Sequence, residues 1–103
     1  MSLRLQVLSE AQDEFDAALA YLNREAPGAG DSFAFHVQQA FDAMLESPEA
    51  FAFVETLPSR SGYRRALLRK YHYTVVFKVI GESVAVVAVA HTSRRPNYWL
   101  RRL

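Results

Sequence analysis

Cysteine is absent from this chain, and glycine is scarce. The 103 residues include no Cys and only four Gly. The lack of Cys excludes a disulfide scaffold, thiol catalysis and thiolate metal sites, and it fits a reducing compartment. Two of the glycines, Gly28 and Gly30, fall in one short connection, so the sequence has no glycine-rich loop of the kind that binds nucleotide phosphates.

Long hydrophobic runs and metal-ligand spacings are also missing. The apolar stretch at the N-terminus is only a few residues long before the acidic residues that begin at Glu10, so we expect neither a signal peptide nor a membrane span. His36, His72 and His91 have no metal-ligand spacing with one another. We therefore expect a cytoplasmic protein with no metal, no cofactor and no membrane partner.

Basic side chains are scarce in the first half of the chain, and acidic side chains are scarce in the second half. Residues 1–55 hold two basic and ten acidic side chains, whereas residues 56–103 hold ten basic and one acidic. The formal net charge of +1 therefore hides a strongly polar molecule. The basic half suits an anionic partner, but the acidic half argues against simple coating of nucleic acid.

The sequence does contain enough apolar material for one core. Half of its residues are hydrophobic, and seven Phe, five Tyr and one Trp supply large side chains. A chain of this length is the size of one domain. Residues 1–103 are therefore predicted to form a single domain.

Hydrophobic periodicity predicts a strand followed by two helices. Residues 3–8 alternate as a short strand, and an apolar stripe at three and four residue intervals predicts a helix from about Glu10 to Arg24. Ser9 and Gln12 have the spacing of a capping box at its start. A break at Pro27 separates a second helix, which begins near Asp31 and ends at residues 47–48. The short connection predicts an antiparallel helical hairpin.

The remaining pattern predicts three strands after a loop over residues 49–62. The strands are expected at residues 63–68, 70–79 and 83–90, with a tight hairpin turn at Gly81-Glu82 between the last two. The element order is then βααβββ. We expect an α+β fold in which an N-terminal helical hairpin packs on a mainly antiparallel twisted sheet.

This arrangement resembles the ParE/RelE superfamily of bacterial toxins over essentially the whole chain. The resemblance rests on the element order, the length, and the segments Tyr63-Arg64-Arg65, 71–77, Gly81-Glu82 and His91 followed by Arg94-Arg95-Pro96. It implies the toxin of a type II toxin–antitoxin system, bound and neutralised by a cognate antitoxin in a hetero-oligomer. Relatives of this kind include plasmid stabilisation proteins.

The superfamily includes two activities, so the resemblance alone does not decide function. ParE-like toxins inhibit DNA gyrase by binding to it. A resemblance to this branch therefore implies no catalytic residue. On that hypothesis the target-binding residues are basic and aromatic: Arg64, Arg65, Arg94, Arg95, Tyr98 and Trp99. RelE-like toxins are endoribonucleases that cut messenger RNA on the ribosome. By resemblance, the catalytic set would then be Arg69, His91, Arg94 and Tyr98.

The distribution of basic residues favours the ParE-like branch. Residues 25–59 contain no Lys or Arg, and an acidic second helix is poorly suited to docking on ribosomal RNA. The tail His91-x-x-Arg94-Arg95-Pro96-x-x-Trp99 is similar to the ParE-like pattern. A third hypothesis is a non-toxic interaction module of the same fold.

Each candidate residue also has a structural interpretation. His91 at the end of a strand can satisfy backbone groups, and exposed His72 needs no role in a site. Arg64 and Arg65 are expected on opposite faces of their strand, so only one of them can share a site with His91. Tyr98 and Trp99 are expected to be packed anchors of the tail.

Overall fold

Two helices and four strands make up the fold, in the predicted order βααβββ. The computed structural model describes residues 2–103. The elements are β1 Arg4–Val7, α1 Ser9–Glu25, α2 Ala29–Glu46, β2 Tyr63–Leu68, β3 Tyr73–Ile80 and β4 Ser83–His91. Short 3-10 turns occur at Pro48–Ala50, Ser59–Ser61, Arg69–Tyr71 and Leu100–Arg102.

The four strands form one sheet in the order β1-β4-β3-β2. β2 and β3 are antiparallel, as are β3 and β4, whereas β1 lies parallel to β4 with Arg4 opposite Ser83. The sheet is therefore mainly antiparallel, as predicted. Its first strand reaches only the first half of β4, because the register ends at Val7 opposite Val86.

The predicted tight turn joins β3 to β4. Ile80 pairs with Ser83, and Gly81 between them has a φ of 59°. This positive φ is accessible to Gly without steric cost. Further along the hairpin the register shifts by one residue, so Val87 on β4 has no partner on β3. Such a bulge changes which face the following side chains occupy.

The helical hairpin covers one face of the sheet. Its largest fully buried side chains are Phe33, Val37 and Met44 on α2. Met44 packs with sheet residues such as Phe77, whereas Phe33 and Val37 pack with Tyr73. The helices approach each other closely at Gly30, because a Cβ there would lie 2.6 Å from the Asn23 side chain. The Asn23 Oδ1 accepts the Gly30 N–H at 2.8 Å.

The opposite face of the sheet is covered by irregular chain. Trp99 in the C-terminal tail is 4% exposed and packs with Val54, Tyr63 and Val76. Its ring lies 4.9 Å from that of Tyr63, centroid to centroid. The tail after β4 is therefore a packed layer of the fold, which agrees with the prediction that Trp99 anchors it.

Three local predictions need correction. The predicted capping box does not form, because α1 already begins at Ser9, Leu8 is the N-cap, and no side chain caps the helix. β3 begins at Tyr73 and not at residue 70, since Arg69–Tyr71 form a 3-10 turn and His72 has a φ of 62°. The segment predicted as a loop pairs briefly with β2 through a bridge between Phe53 and Arg64.

Candidate functional site

A cleft lies between the C-terminal tail and the face of the sheet opposite the helices. It has a volume of about 180 Å³. Val54, Val76 and Trp99 form its apolar base. Ala90, Pro96 and Tyr98 also line it. Basic and polar side chains form the rest of the lining: Thr56, Arg65, Thr74, His91, Thr92, Arg94, Arg95 and Asn97. An apolar base with a basic rim is suited to an anionic partner that also offers apolar contact.

Two of the arginines at the cleft are held in different ways. Arg65 forms an ion pair with Glu55, with Nη2 2.6 Å from Oε1, and the Glu55 side chain is 79% exposed. The guanidinium of Arg94 lies over the ring of Tyr98, 3.9 Å from its centroid. An exposed pair contributes little stability, so a partner carboxylate can replace Glu55 at low cost. Stacking on an aromatic face fixes the plane of a guanidinium.

The tail is also tied to the chain that lines the other side of the cleft. The Thr56 hydroxyl donates to Asn97 Oδ1 at 2.8 Å. Asn97 has a φ of 63°, a conformation that Asn tolerates better than most residues. This turn brings Tyr98 and Trp99 back against the sheet.

His91 makes contacts within its own turn. Its Nδ1 accepts the Ser93 N–H at 3.1 Å and lies 2.8 Å from the Ser93 hydroxyl. Because Nδ1 accepts, the neutral ring carries its proton on Nε2. The ring also meets Tyr73 edge to face, with centroids 5.1 Å apart. These contacts give His91 the structural role of satisfying backbone at the end of β4.

A carboxylate on α1 holds the far end of the tail. Glu14 Oε2 accepts the Tyr98 hydroxyl at 2.5 Å, and both oxygens accept the Arg102 guanidinium, at 2.8 and 3.0 Å. Glu14 Oε1 also accepts the Val89 N–H at 3.0 Å, and Arg102 Nη1 donates to the Val87 carbonyl at 3.0 Å. The Glu14 and Arg102 side chains are 16% and 17% exposed, which makes the pair partly desolvated.

This network closes the edge of β4 that β1 leaves open. The last backbone bond from the first strand runs from the Leu8 N–H to the Val86 carbonyl, at 3.0 Å. Beyond it, Arg102 satisfies Val87 and Glu14 satisfies Val89. Side chains therefore take the place of a neighbouring strand where the edge would otherwise have unpaired groups.

The network shifts the pKa of both acids that it contains. Burial tends to raise the pKa of Glu14, but the hydrogen bonds from Arg102, Tyr98 and the Val89 N–H together outweigh it, so the pKa lies below its ordinary value. Burial and the hydrogen bond to Glu14 raise the pKa of Tyr98 to about 12. The Tyr98 phenol is therefore protonated and committed as a donor at neutral pH.

The structure groups some of the predicted site residues and separates others. Five of the six predicted target-binding residues line the cleft, namely Arg65, Arg94, Arg95, Tyr98 and Trp99. Of the predicted catalytic set, His91, Arg94 and Tyr98 line it as well. Arg69 does not, because it lies in an exposed turn beside a separate cavity lined by Leu67, His72, Tyr73 and Thr92.

Arg64 lies apart from the cleft, as the strand alternation predicts. Its Nη1 donates to the Phe51 carbonyl at 2.6 Å, and its guanidinium stacks 3.9 Å from the Phe53 centroid. It lines a different cavity with Glu49 and Val79. Arg64 therefore belongs to another surface than Arg65 and Arg94.

Sequence reasoning missed Glu14 and Arg102. A signal for Glu14 was present, because it falls three residues after Ala11 and four before Ala18, inside the apolar stripe of α1. A glutamate in such a stripe is buried in part and needs a cationic partner. Nothing in the spacing identified Arg102 among the basic residues as that partner.

Two further properties concern the described residues 2–103. No cluster of three or more His, Asp or Glu side chains there is arranged to hold a metal ion. No helix in that range is both long enough and apolar enough to cross a bilayer.

Comparisons with known proteins identify the family of this chain. Residues 5–96 match the model of the ParE toxin of the type II toxin–antitoxin system parDE. The chain belongs to the ParE toxin family. It is therefore of the toxin class of type II toxin–antitoxin systems, and membership of a ParDE system implies an antitoxin partner.

Individual relatives agree with this assignment. Toxin ParE2 of Mycobacterium tuberculosis, in strains CDC 1551 / Oshkosh and H37Rv, is 29% identical over 98 residues, which cover 94% of this chain and 89% of the relative. A solved structure of the chromosomal ParDE system from P. aeruginosa superposes with a TM-score of 0.72 at 15% identity, covering 88% of this chain and 97% of the other. At that identity the structural match shows the shared fold.

Proposed function

We propose that this toxin, when not neutralised by its cognate antitoxin, binds DNA gyrase in the cytoplasm and stops the enzyme's cycle. The tail cleft supplies the contact surface. Arg94 and Arg95 at its rim provide charge, and the apolar base over Val76 and Trp99 provides desolvated contact. Arginines beside buried aromatic rings are the type of residue that dominates interface affinity.

The observation that carries the proposal is the bonding of Tyr98. A general base for RNA cleavage must have a free acceptor and a pKa near neutrality. The Tyr98 hydroxyl instead donates to Glu14 at 2.5 Å, and its pKa is raised to about 12. His91 Nδ1 is also engaged by Ser93. These groups support the fold of the tail, which favours a binding poison over a ribonuclease.

Charge distribution supports a target surface on the tail and not on the helices. The exposed charged side chains of both helices are acidic except Arg24, whereas the tail carries Arg94, Arg95 and Arg101. A partner with an acidic surface is attracted to the tail and repelled by the helices. The target surface is therefore assigned to the tail, and neutralisation requires the antitoxin to block or distort that surface.

The direct test is inhibition of purified gyrase by the purified chain in a DNA supercoiling assay. We expect inhibition by the wild type and about tenfold weaker inhibition by Arg94→Ala, which removes a rim arginine at the cleft. Arg101→Ala is the matched control, because Arg101 is an exposed tail arginine that does not line the cleft. Equal potency of all three proteins would contradict the assignment of the surface.

A cell-free translation reaction separates this proposal from the ribonuclease hypothesis. If the chain cuts messenger RNA on ribosomes and Tyr98→Phe stops the cutting, the ribonuclease hypothesis is correct. Pulse-labelling in bacteria gives the same distinction within minutes of induction. Early loss of DNA synthesis supports gyrase, early loss of protein synthesis supports messenger RNA, and no loss of either identifies a non-toxic module.

A further inference from the structure

Glu14 lies outside the tail cleft but is connected to it through one side chain. Its carboxylate accepts the Tyr98 hydroxyl, and the ring of Tyr98 is the platform on which the Arg94 guanidinium lies, 3.9 Å from the centroid. Arg94 lines the cleft, whereas Glu14 does not. The chain of contacts therefore runs from α1, through the tail, to the rim of the cleft.

Among the described residues, the Tyr98 ring is the anchor of the Arg94 side chain. Within residues 2–103 it is exposed and forms no ion pair, and its guanidinium stacks on the Tyr98 ring. A long exposed Arg loses rotamer entropy when it binds a partner, and stacking in advance lowers that cost. The orientation of Arg94 thus depends on the orientation of the Tyr98 ring.

The Tyr98 ring, in turn, is held by its hydroxyl as well as by packing. Tyr98 is half-buried at the edge of the apolar cluster that contains Trp99, and a short 3-10 turn follows it. Glu14 provides the acceptor, and Arg102 holds the Glu14 carboxylate with two hydrogen bonds. Weakening this acceptor leaves a half-buried phenol without its partner and allows the ring to turn.

We propose that Glu14 is a positioning residue for target recognition, because it fixes the Tyr98 ring and thereby presents Arg94 at the rim of the cleft. This inference rests on the proposed function for its activity measurement. It assigns to an acidic residue of α1 a role in the basic surface of the tail. A partner that meets Arg94 need not touch Glu14.

The test is a double-mutant cycle in the gyrase assay. Glu14→Gln keeps the shape of the side chain, removes the charge that holds Arg102, and leaves one carbonyl oxygen for the four donors that the carboxylate accepts, of which Tyr98 is one. We expect it to raise the inhibitory concentration about tenfold, as Arg94→Ala does, and we expect Glu14→Gln in the Arg94→Ala background to cause no further loss. Asp13→Asn is the control, since Asp13 is a neighbouring exposed acid of α1 with no recorded side-chain partner.

A second measurement does not depend on gyrase. The Nε–Hε signal of Arg94 in an NMR spectrum, assigned by its loss in Arg94→Ala, should be dispersed in the wild type and in Asp13→Asn. It should move to the position of a free Arg in Glu14→Gln. If Glu14→Gln does not fold, Tyr98→Phe takes its place, because it breaks the hydroxyl contact and leaves the Glu14–Arg102 pair intact.

The outcomes distinguish the two proposals. Losses that multiply in the double variant, or an Arg94 signal that is the same in Glu14→Gln and wild type, overturn the positioning role. Failure of the wild-type chain to inhibit gyrase contradicts the proposed function alone. The Arg94 signal then still decides whether Glu14 positions that side chain.

Discussion

Replacing Trp99 tests whether the tail is a structural layer of the protein. Trp99 is 4% exposed and packs on the face of the sheet opposite the helices, with Tyr63, Val76 and Val87. Truncating a buried Trp to Ala costs about 3–5 kcal/mol, through lost burial and the cavity left behind. A small domain has a total stability of about 5–15 kcal/mol. Trp99→Ala should therefore remove a large fraction of the free energy of unfolding.

The same figure predicts the change in melting temperature. For a domain near this size, each kcal/mol lowers Tm by about 4 °C or more, so we expect a decrease of at least roughly 12–20 °C. Urea unfolding should be followed by far-ultraviolet circular dichroism, because the chain has a single Trp and the variant loses its fluorescence signal. The midpoint should fall while the slope remains similar.

The matched control is Leu100→Ala. Leu100 is the next residue in the tail, is 37% exposed, and should cost less than about 1 kcal/mol. Trp99→Phe should lie between the two, because it keeps an aromatic ring in the cluster. A loss below about 1 kcal/mol for Trp99→Ala would refute the conclusion that the tail is held by burial of this ring.

Three further predictions follow from the site and the helical hairpin. The pKa of Glu14 is lowered in the folded state. The stability advantage of wild type over Glu14→Gln is therefore present above the unfolded pKa of about 4.3 and is lost as pH falls through the folded pKa. Urea titrations at pH 3 to 7 would measure this loss. Tyr98 should ionise near pH 12, so the tyrosinate absorbance of wild type should rise later than expected for a free phenol, and Tyr98→Phe should lack only that late component. Gly30→Ala should destabilise the protein by about 1–3 kcal/mol, since its Cβ would lie 2.6 Å from the Asn23 side chain. Gly28→Ala is the control, because no atom lies within 4 Å of its Cβ but φ is 84°. Thermal unfolding of the two variants therefore separates crowding from backbone strain.

Periodicity predicted the helices and most of the strands because their burial follows regular spacing. The apolar stripes of α1 and α2 and the alternation from Tyr73 onward identify one buried face each. The start of β3 was placed too early because Tyr71 continues the alternation, although its side chain is buried from within a 3-10 turn. There its hydroxyl lies 2.5 Å from Ser32 Oγ and 3.0 Å from His36 Nδ1.

Other features of the sheet had no local signal. Nearly every residue of β4 is apolar and buried, so alternation could not reveal the bulge at Val87. The parallel pairing of Arg4 with Ser83 depends on the whole topology and not on either segment. The capping box failed because the spacing of Ser9 and Gln12 is common, and the helix here begins one residue earlier than the motif requires.

The candidate site was predicted in composition but not in arrangement. The tail arginines and aromatics were identified because they form a dense cluster in sequence, and alternation correctly separated Arg64 from Arg65. The contacts of Glu14 and Arg102 that hold Tyr98 were not predicted, because Glu14 and Arg102 lie at opposite ends of the chain. A contact between such distant residues becomes visible only when the sheet and the tail are in place.

The central position of β4 also has a consequence for the order in which the protein assembles. β1 at the start of the chain pairs with β4, and the tail that forms the cleft packs on the same strand. Synthesis runs from the N-terminus, and pairings between distant segments form late and slowly. The apolar sides of the first strand and the helical hairpin therefore stay uncovered until the last fifth of the 103 residues, which contains β4, has been synthesised. A chain made only as far as residue 82 lacks both the completed sheet and the cleft, so any toxicity that depends on the cleft should require β4 and the tail.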